Sequence, residues 1–107
     1  MTVWVDYAFI PWKRSLWCHL TADTEAELHA FARRLGLRRE WFQTCKHRCG
    51  PIGAPCPHWH YDVNVTKRAL ALALGAKEID RYAMVDLIRA RRAYQDPGKM
   101  GMEGSQS

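Results

Sequence analysis

The chain has no apolar run near the roughly 20 residues that a membrane-spanning helix needs, and its hydrophobic residues are dispersed through all 107 positions. Its first residues, Met-Thr-Val-Trp-Val-Asp, include no basic segment leading into an apolar one. A secretory leader is therefore not expected, no membrane partner is expected, and the expected compartment is the cytoplasm. No long internal repeat is present. The double Cys-x2-Cys spacing of zinc ribbons and fingers is missing too. Acidic residues are the minority, 11 against 16 Lys and Arg, and the net charge of +5 permits a polyanionic partner without requiring one. With 48% hydrophobic residues in 107, one domain with a modest core is feasible, and there is little room for a second.

Cysteine is scarce, at four residues, but three of them fall in one stretch, Cys45-Lys-His-Arg-Cys49-Gly-Pro-Ile-Gly-Ala-Pro-Cys56-Pro-His58-Trp-His60-Tyr-Asp62. Six of these eighteen residues are Cys or His, the soft and borderline donors that zinc prefers. In a reducing compartment such thiols are more often metal ligands than disulfides. Cys45, Cys49, Cys56 and His58 are the first choice of ligands, with His60 or His47 able to replace His58. Three thiolates donate so much charge that Lewis acidity is blunted, so the expected zinc is structural. It would rigidify a loop, 44–58, that is broken by Pro51, Pro55 and Pro57 and has little apolar content of its own.

Around that loop the pattern predicts an α/β domain over 1–94: a small mixed sheet of about four short strands packed by two or three helices. A disordered tail is expected over 95–107. Thr2–Tyr7 and Leu16–Ala22 alternate as strands, and Phe9–Ser15 reads as a loop because Pro11 breaks a ladder. Thr24-Glu-Ala-Glu27 is a capping box opening a helix with a Leu28, Phe31, Ala32, Leu35 stripe and a stop at Gly36. His29, Arg33 and Arg34 fall off that stripe, on a solvated face. In His58–Val63 alternation sends Trp59, Tyr61 and Val63 to one side and His58, His60 and Asp62 to the other. Thr66 is expected to cap a second helix to Leu74 with Leu70, Ala73 and Leu74 inward. Ala76–Ile79 then makes a strand–helix–strand unit of parallel sense. Asp80 caps a third helix with Met84, Leu87 and Ile88 inward and Arg89, Arg91 and Arg92 at its end.

Several pieces together resemble a family of short bacterial and phage proteins known as domain of unknown function 4031: Val3-Trp-Val-Asp6, Cys18-His-Leu20, Ala22-Asp-Thr24, Glu27-Leu-His29, Trp41-Phe-Gln43, His60-Tyr-Asp62, Lys67-Arg-Ala69 and Gly75-Ala76 with Glu78. The resemblance covers about residues 1–80 and implies a compact α/β domain without a known activity. It also implies that the cysteine-bearing linker is an addition to a shared polar set of Asp6, His19, His29, Gln43, His60, Asp62, Lys67 and Arg68.

Three functions fit these residues. The first expectation is a zinc-stapled module that binds nucleic acid or a nucleotide through Lys67, Arg68, Arg38 and Arg39, the last two lying beside Trp41 and Phe42 where a base would stack. The second is a metal-dependent phosphoesterase or nuclease using Asp6, His19, His60 and Asp62. The third is a phage or host module that docks on another protein.

Overall fold

The computed structural model describes residues 2–45, 49–50, 52 and 55–95. Among them the order is β1 (Val3–Val5), β2 (Ile10–Trp12), β3 (Ser15–Ala22), α1 (Glu25–Arg34), β4 (Tyr61–Asn64), α2 (Val65–Ala73), β5 (Lys77–Glu78) and α3 (Arg81–Gln95), with a 3-10 turn at Arg39–Trp41. The expected small mixed sheet with helices is what forms, with one strand more than the pattern indicated. Residues 96–107, nearly all of the expected tail, lie outside the described residues.

The eight residues of β3 organise the sheet. Leu20 faces Val5 of β1 and Tyr61 of β4, and Trp17 faces Ile10 of β2 and Asn64 of β4, all antiparallel. A strand has two edges, so β1 and β2 follow one another along one edge and β4 takes the other. β5 adds to β1 in parallel. It therefore runs in the same direction as β4, as the strand–helix–strand reading requires. Val3, Val5, Cys18, Leu20, Tyr61 and Val63 point to one side and meet Leu28, Phe31 and Ala32 of α1. Each fully buried side chain of this size contributes about 1.5–3 kcal/mol. The α1 start is as expected: the Thr24 hydroxyl accepts from the Glu27 N–H. Gly36, at φ +80°, takes the left-handed stop, and Leu37 N donates to the Ala32 carbonyl.

Four local expectations change. Pro11 lies in a strand, not a loop. β2 and β3 are joined by the two-residue turn Lys13-Arg14, both at positive φ. The flanking pair Trp12–Ser15 is then the hydrogen-bonded one, and Pro11–Leu16 is a non-hydrogen-bonded pair whose missing N–H is not needed. Asn64, not Thr66, caps α2, accepting from Lys67 N at 2.9 Å. The inward face differs as well: Arg68 and Ala71 are buried while Leu70 and Ala73 are exposed. Arg91 does not decorate the end of α3 but continues its inward stripe. It is 7% exposed, lies 3.5 Å over the Trp59 ring, and donates to the carbonyls of Pro57 and Ala22 and to the Thr21 hydroxyl. By alternation Thr21 shares a face with His19, so α3 lies across the side of the sheet opposite α1.

His29 is the fourth change. Its Nδ1 is 2.8 Å from the Tyr61 hydroxyl, and its ring packs edge-on to Phe42 at 4.6 Å. Burial, aided by nearby Arg39, lowers its pKa from 6.5, outweighing Glu25. A depressed pKa gives stability that is complete above the unfolded value and is lost as pH falls through the folded one. Thermal melts of the native chain should therefore fall faster below about pH 6.5 than those of His29→Gln. Parallel curves would rule out this role.

Candidate metal centres

Two groups of metal-ligating side chains converge among the described residues. In each, the donor atoms lie within 4.8 Å of one another.

The first is Cys45, Cys49, Cys56 and His58. The Nδ1 of His58 is 3.4 Å from the Cys45 sulfur and 3.8 Å from that of Cys56. With sulfur at about 2.3 Å and nitrogen at about 2.1 Å from zinc, tetrahedral edges measure about 3.6 Å for S–N and 3.8 Å for S–S. The donor set and its spacing therefore fit such an ion. Two backbone amides, of Cys45 and His58, donate to the Cys56 sulfur at 3.4 and 3.3 Å. Burial acts to raise the Cys56 pKa, but these amides and the His58 ring bring it down to about 6. Cys45 is pushed up to about 11 by desolvation and by its thiol neighbours. The Cys56 sulfur thus favours the thiolate while Cys45 resists a second negative charge, a conflict that a cation resolves. His47, the alternative ligand, lies outside the described residues.

The loop is also tied by protein groups. Arg92 donates to the Cys49 carbonyl at 2.9 Å, and Arg91 to that of Pro57. A Cβ on Gly50 would meet the tip of the Arg92 side chain, which would have to shift, so the glycine leaves room for this guanidinium.

The second group is His19, His60 and Asp62. The β3–β4 register puts His19 directly opposite Asp62, and His60 precedes Asp62 by two residues on the same face. Each imidazole is oriented through Nδ1: that of His19 bonds Asp6 at 2.7 Å, and that of His60 donates to the His58 carbonyl at 2.8 Å. Both Nε2 atoms then face the Asp62 Oδ1, at 4.0 and 3.3 Å. The other Asp62 oxygen accepts from the Gln43 amide at 2.7 Å. The His60 bond lowers the Asp62 pKa first, against partial burial and with help from Gln43. Burial opposes the Asp6 carboxylate, yet its bonds to His19 keep its pKa low, and Asp6 raises that of His19. A neutral His60 presents a lone pair to a carboxylate oxygen, a contact that needs a proton or a cation between them. Imidazoles fixed through Nδ1 by a carboxylate and a carbonyl are the arrangement in which metal-binding histidines are held.

The family model for proteins of unknown function DUF4031 matches residues 3–91. The chain belongs to the DUF4031 family. No curated protein and no solved structure matches it.

The remaining expected residues of the DUF4031 chain lie as follows. Lys67 Nζ donates to the Leu35 carbonyl at 2.6 Å and caps α1. Arg68 lies 5.1 and 4.9 Å from the Tyr7 and Phe9 rings, donates to the Asp6 carbonyl at 3.0 Å and pairs with Glu78 at 2.9 Å. It thereby fixes the backbone of the carboxylate that orients His19. Arg38 and Arg39 lie over Trp41 and Phe42 at 5.7 and 4.9 Å. Sequence reasoning missed Arg91 and Arg92, although Met84, Leu87, Ile88 and Arg91 continue one helical stripe.

Elemental analysis of the purified chain should find about one tightly held zinc that survives His60→Ala with Asp62→Ala and is lost, with a lower Tm, in Cys49→Ser. Zinc-free protein of unchanged Tm would refute the staple.

Proposed function

We propose that this DUF4031 chain is a metal-dependent hydrolase of phosphate esters. In this reading His19, His60 and Asp62 hold a catalytic divalent ion, Asp6 is the residue that orients His19, and a zinc on Cys45, Cys49, Cys56 and His58 is structural. The convergence of two Nδ1-anchored imidazoles and a carboxylate carries the proposal. Such a set supplies three protein ligands and leaves positions for water and substrate. A bound ion would act as Lewis acid and lower the pKa of a water. The reaction adds that water across a P–O bond: hydroxyl goes to phosphorus and hydrogen to the departing alcohol.

The surroundings favour an anionic substrate. His19 and His60 line a cavity of about 370 Å³ whose wall also carries Arg81 and Arg91. Arg91 is bonded to neutral oxygens only, so its charge is uncompensated by direct contact among the described residues, and burial pulls its pKa down to about 10. A phosphate beside it would meet a positive field in a low-dielectric wall. The nucleotide-binding reading through Lys67 and Arg68 has less support, because both cations are engaged within the chain. The free thiols support a reducing compartment, which we take to be the cytoplasm.

Bis(4-nitrophenyl) phosphate should be turned over with added Mn²⁺ or Zn²⁺. His19→Ala and Asp62→Ala should abolish turnover while retaining the structural zinc. Asp6→Asn should weaken activating-metal affinity by roughly 10- to 100-fold. Turnover that persists in His19→Ala, or that needs no divalent ion, would refute the assignment.

A further inference from the structure

Members of the His19–His60–Asp62 group line each of three hollows. On the side away from α3 is a cleft of about 500 Å³ walled by Trp12, Trp17 and Trp41, with Asp62 and Lys67 in its lining. A smaller hollow of about 170 Å³ shares Trp12, Trp17 and Asp62 with it and is also lined by His19. His19 in turn lines the arginine-walled cavity described above. The three hollows thus share lining residues in sequence, Trp12, Trp17 and Asp62 between the first two and His19 between the last two.

The indoles are presented, not buried. Trp12 is 58% and Trp41 48% exposed. The Trp12 and Trp17 rings meet edge to face at 5.7 Å, and the Trp17 indole N–H donates to the Trp12 carbonyl at 2.8 Å, which fixes their geometry. Trp17 and His19 are two residues apart on one face of β3, about 7 Å along the strand. Cations attend the rings: Lys13 Nζ is 4.5 Å from the Trp12 ring and the Arg38 guanidinium 5.7 Å from that of Trp41. Glu40 and Asp62 in the lining oppose this charge, and Lys67 there is engaged as the α1 cap, so the cations that attend the rings are Lys13 and Arg38.

We propose that this tryptophan cleft binds unpaired nucleobases of single-stranded nucleic acid and delivers the adjoining phosphodiester to the His19–His60–Asp62 centre. The inference rests on the hydrolase reading and names its substrate class. The ligand must offer flat π faces to the indoles and anionic linkers to the cations at the same time. A neutral glycan satisfies only the rings, and a duplex keeps its bases stacked on one another. Stacking platforms joined to a cationic rim are how single strands are held without sequence preference, and the net charge of +5 acts in the same sense.

The test is fluorescence anisotropy of a fluorescein-labelled twelve-nucleotide oligothymidylate with the zinc-loaded full chain and no added divalent ion. Trp12→Ala and Trp41→Ala should each weaken binding roughly 5- to 150-fold, and Trp41→Phe should recover most of the loss. A duplex of equal length should bind more weakly. Affinity indifferent to both alanine substitutions, equal affinity for duplex, or displacement by a neutral cello-oligosaccharide would overturn the proposal. Bis(4-nitrophenyl) phosphate offers no nucleobase. Failure to hydrolyse it would sink the hydrolase reading, while the oligonucleotide measurement judges the cleft separately.

Discussion

The register between β3 and β4 is the constraint on which the site depends. It places His19 across from Asp62 and Trp17 across from Asn64. A slip of one residue would turn every side chain of β4 to the other face. Asp62 and His60 would enter the core, and Tyr61 and Val63 would leave it. The burial of Tyr61 and Val63 therefore holds the ligand geometry in place, and the same contacts that stabilise the sheet align the chemistry. Further anchors act in the same direction. The Asp6 amide donates to the His19 carbonyl while its carboxylate accepts from the His19 amide and ring. The Gln43–His60 bridge fixes the approach to β4.

His58 joins the two metal-ligating groups. Its ring belongs to the cysteine cluster and its carbonyl holds the ring of His60. The cysteine cluster is thus linked to the second group through one residue's backbone. Arg91 and Arg92 add a parallel support, from α3 to the loop at the carbonyls of Pro57 and Cys49. The described part of this segment thus carries two kinds of protein contact, backbone amides to the Cys56 sulfur and guanidinium–carbonyl bonds at Cys49 and Pro57.

Much of this was legible in the residues. Alternation separated Tyr61 and Val63 from His60 and Asp62, because strand geometry leaves few choices, whereas Trp59, which precedes β4, lies against Arg91 of α3 instead of with Tyr61 and Val63. The density of Cys and His in 45–58 identified the group that converges there. Other features were not legible, for physical reasons. Whether Asp6 and His19 would reach His60 depended on the pairing of three strands distant in sequence, which local pattern does not encode. Arg91 was read as a helix-end cation because charge argues for exposure, although a guanidinium can stack on an indole and find carbonyl acceptors inside. Asn64 was overlooked as a cap because it also ends a strand. Pro11 was taken as a breaker because its harmlessness depends on which pairs in the hairpin are hydrogen-bonded.

That proline has an effect at the margin of the sheet. Its imide nitrogen points away from β3, and among the described residues no strand pairs with β2 on that side. Exposed edges ordinarily offer a row of N–H and C=O groups that recruit another chain by strand addition. Here the row lacks a donor at its middle position, so the rim beside Trp12 is a poor template for aggregation and is left accessible to solvent.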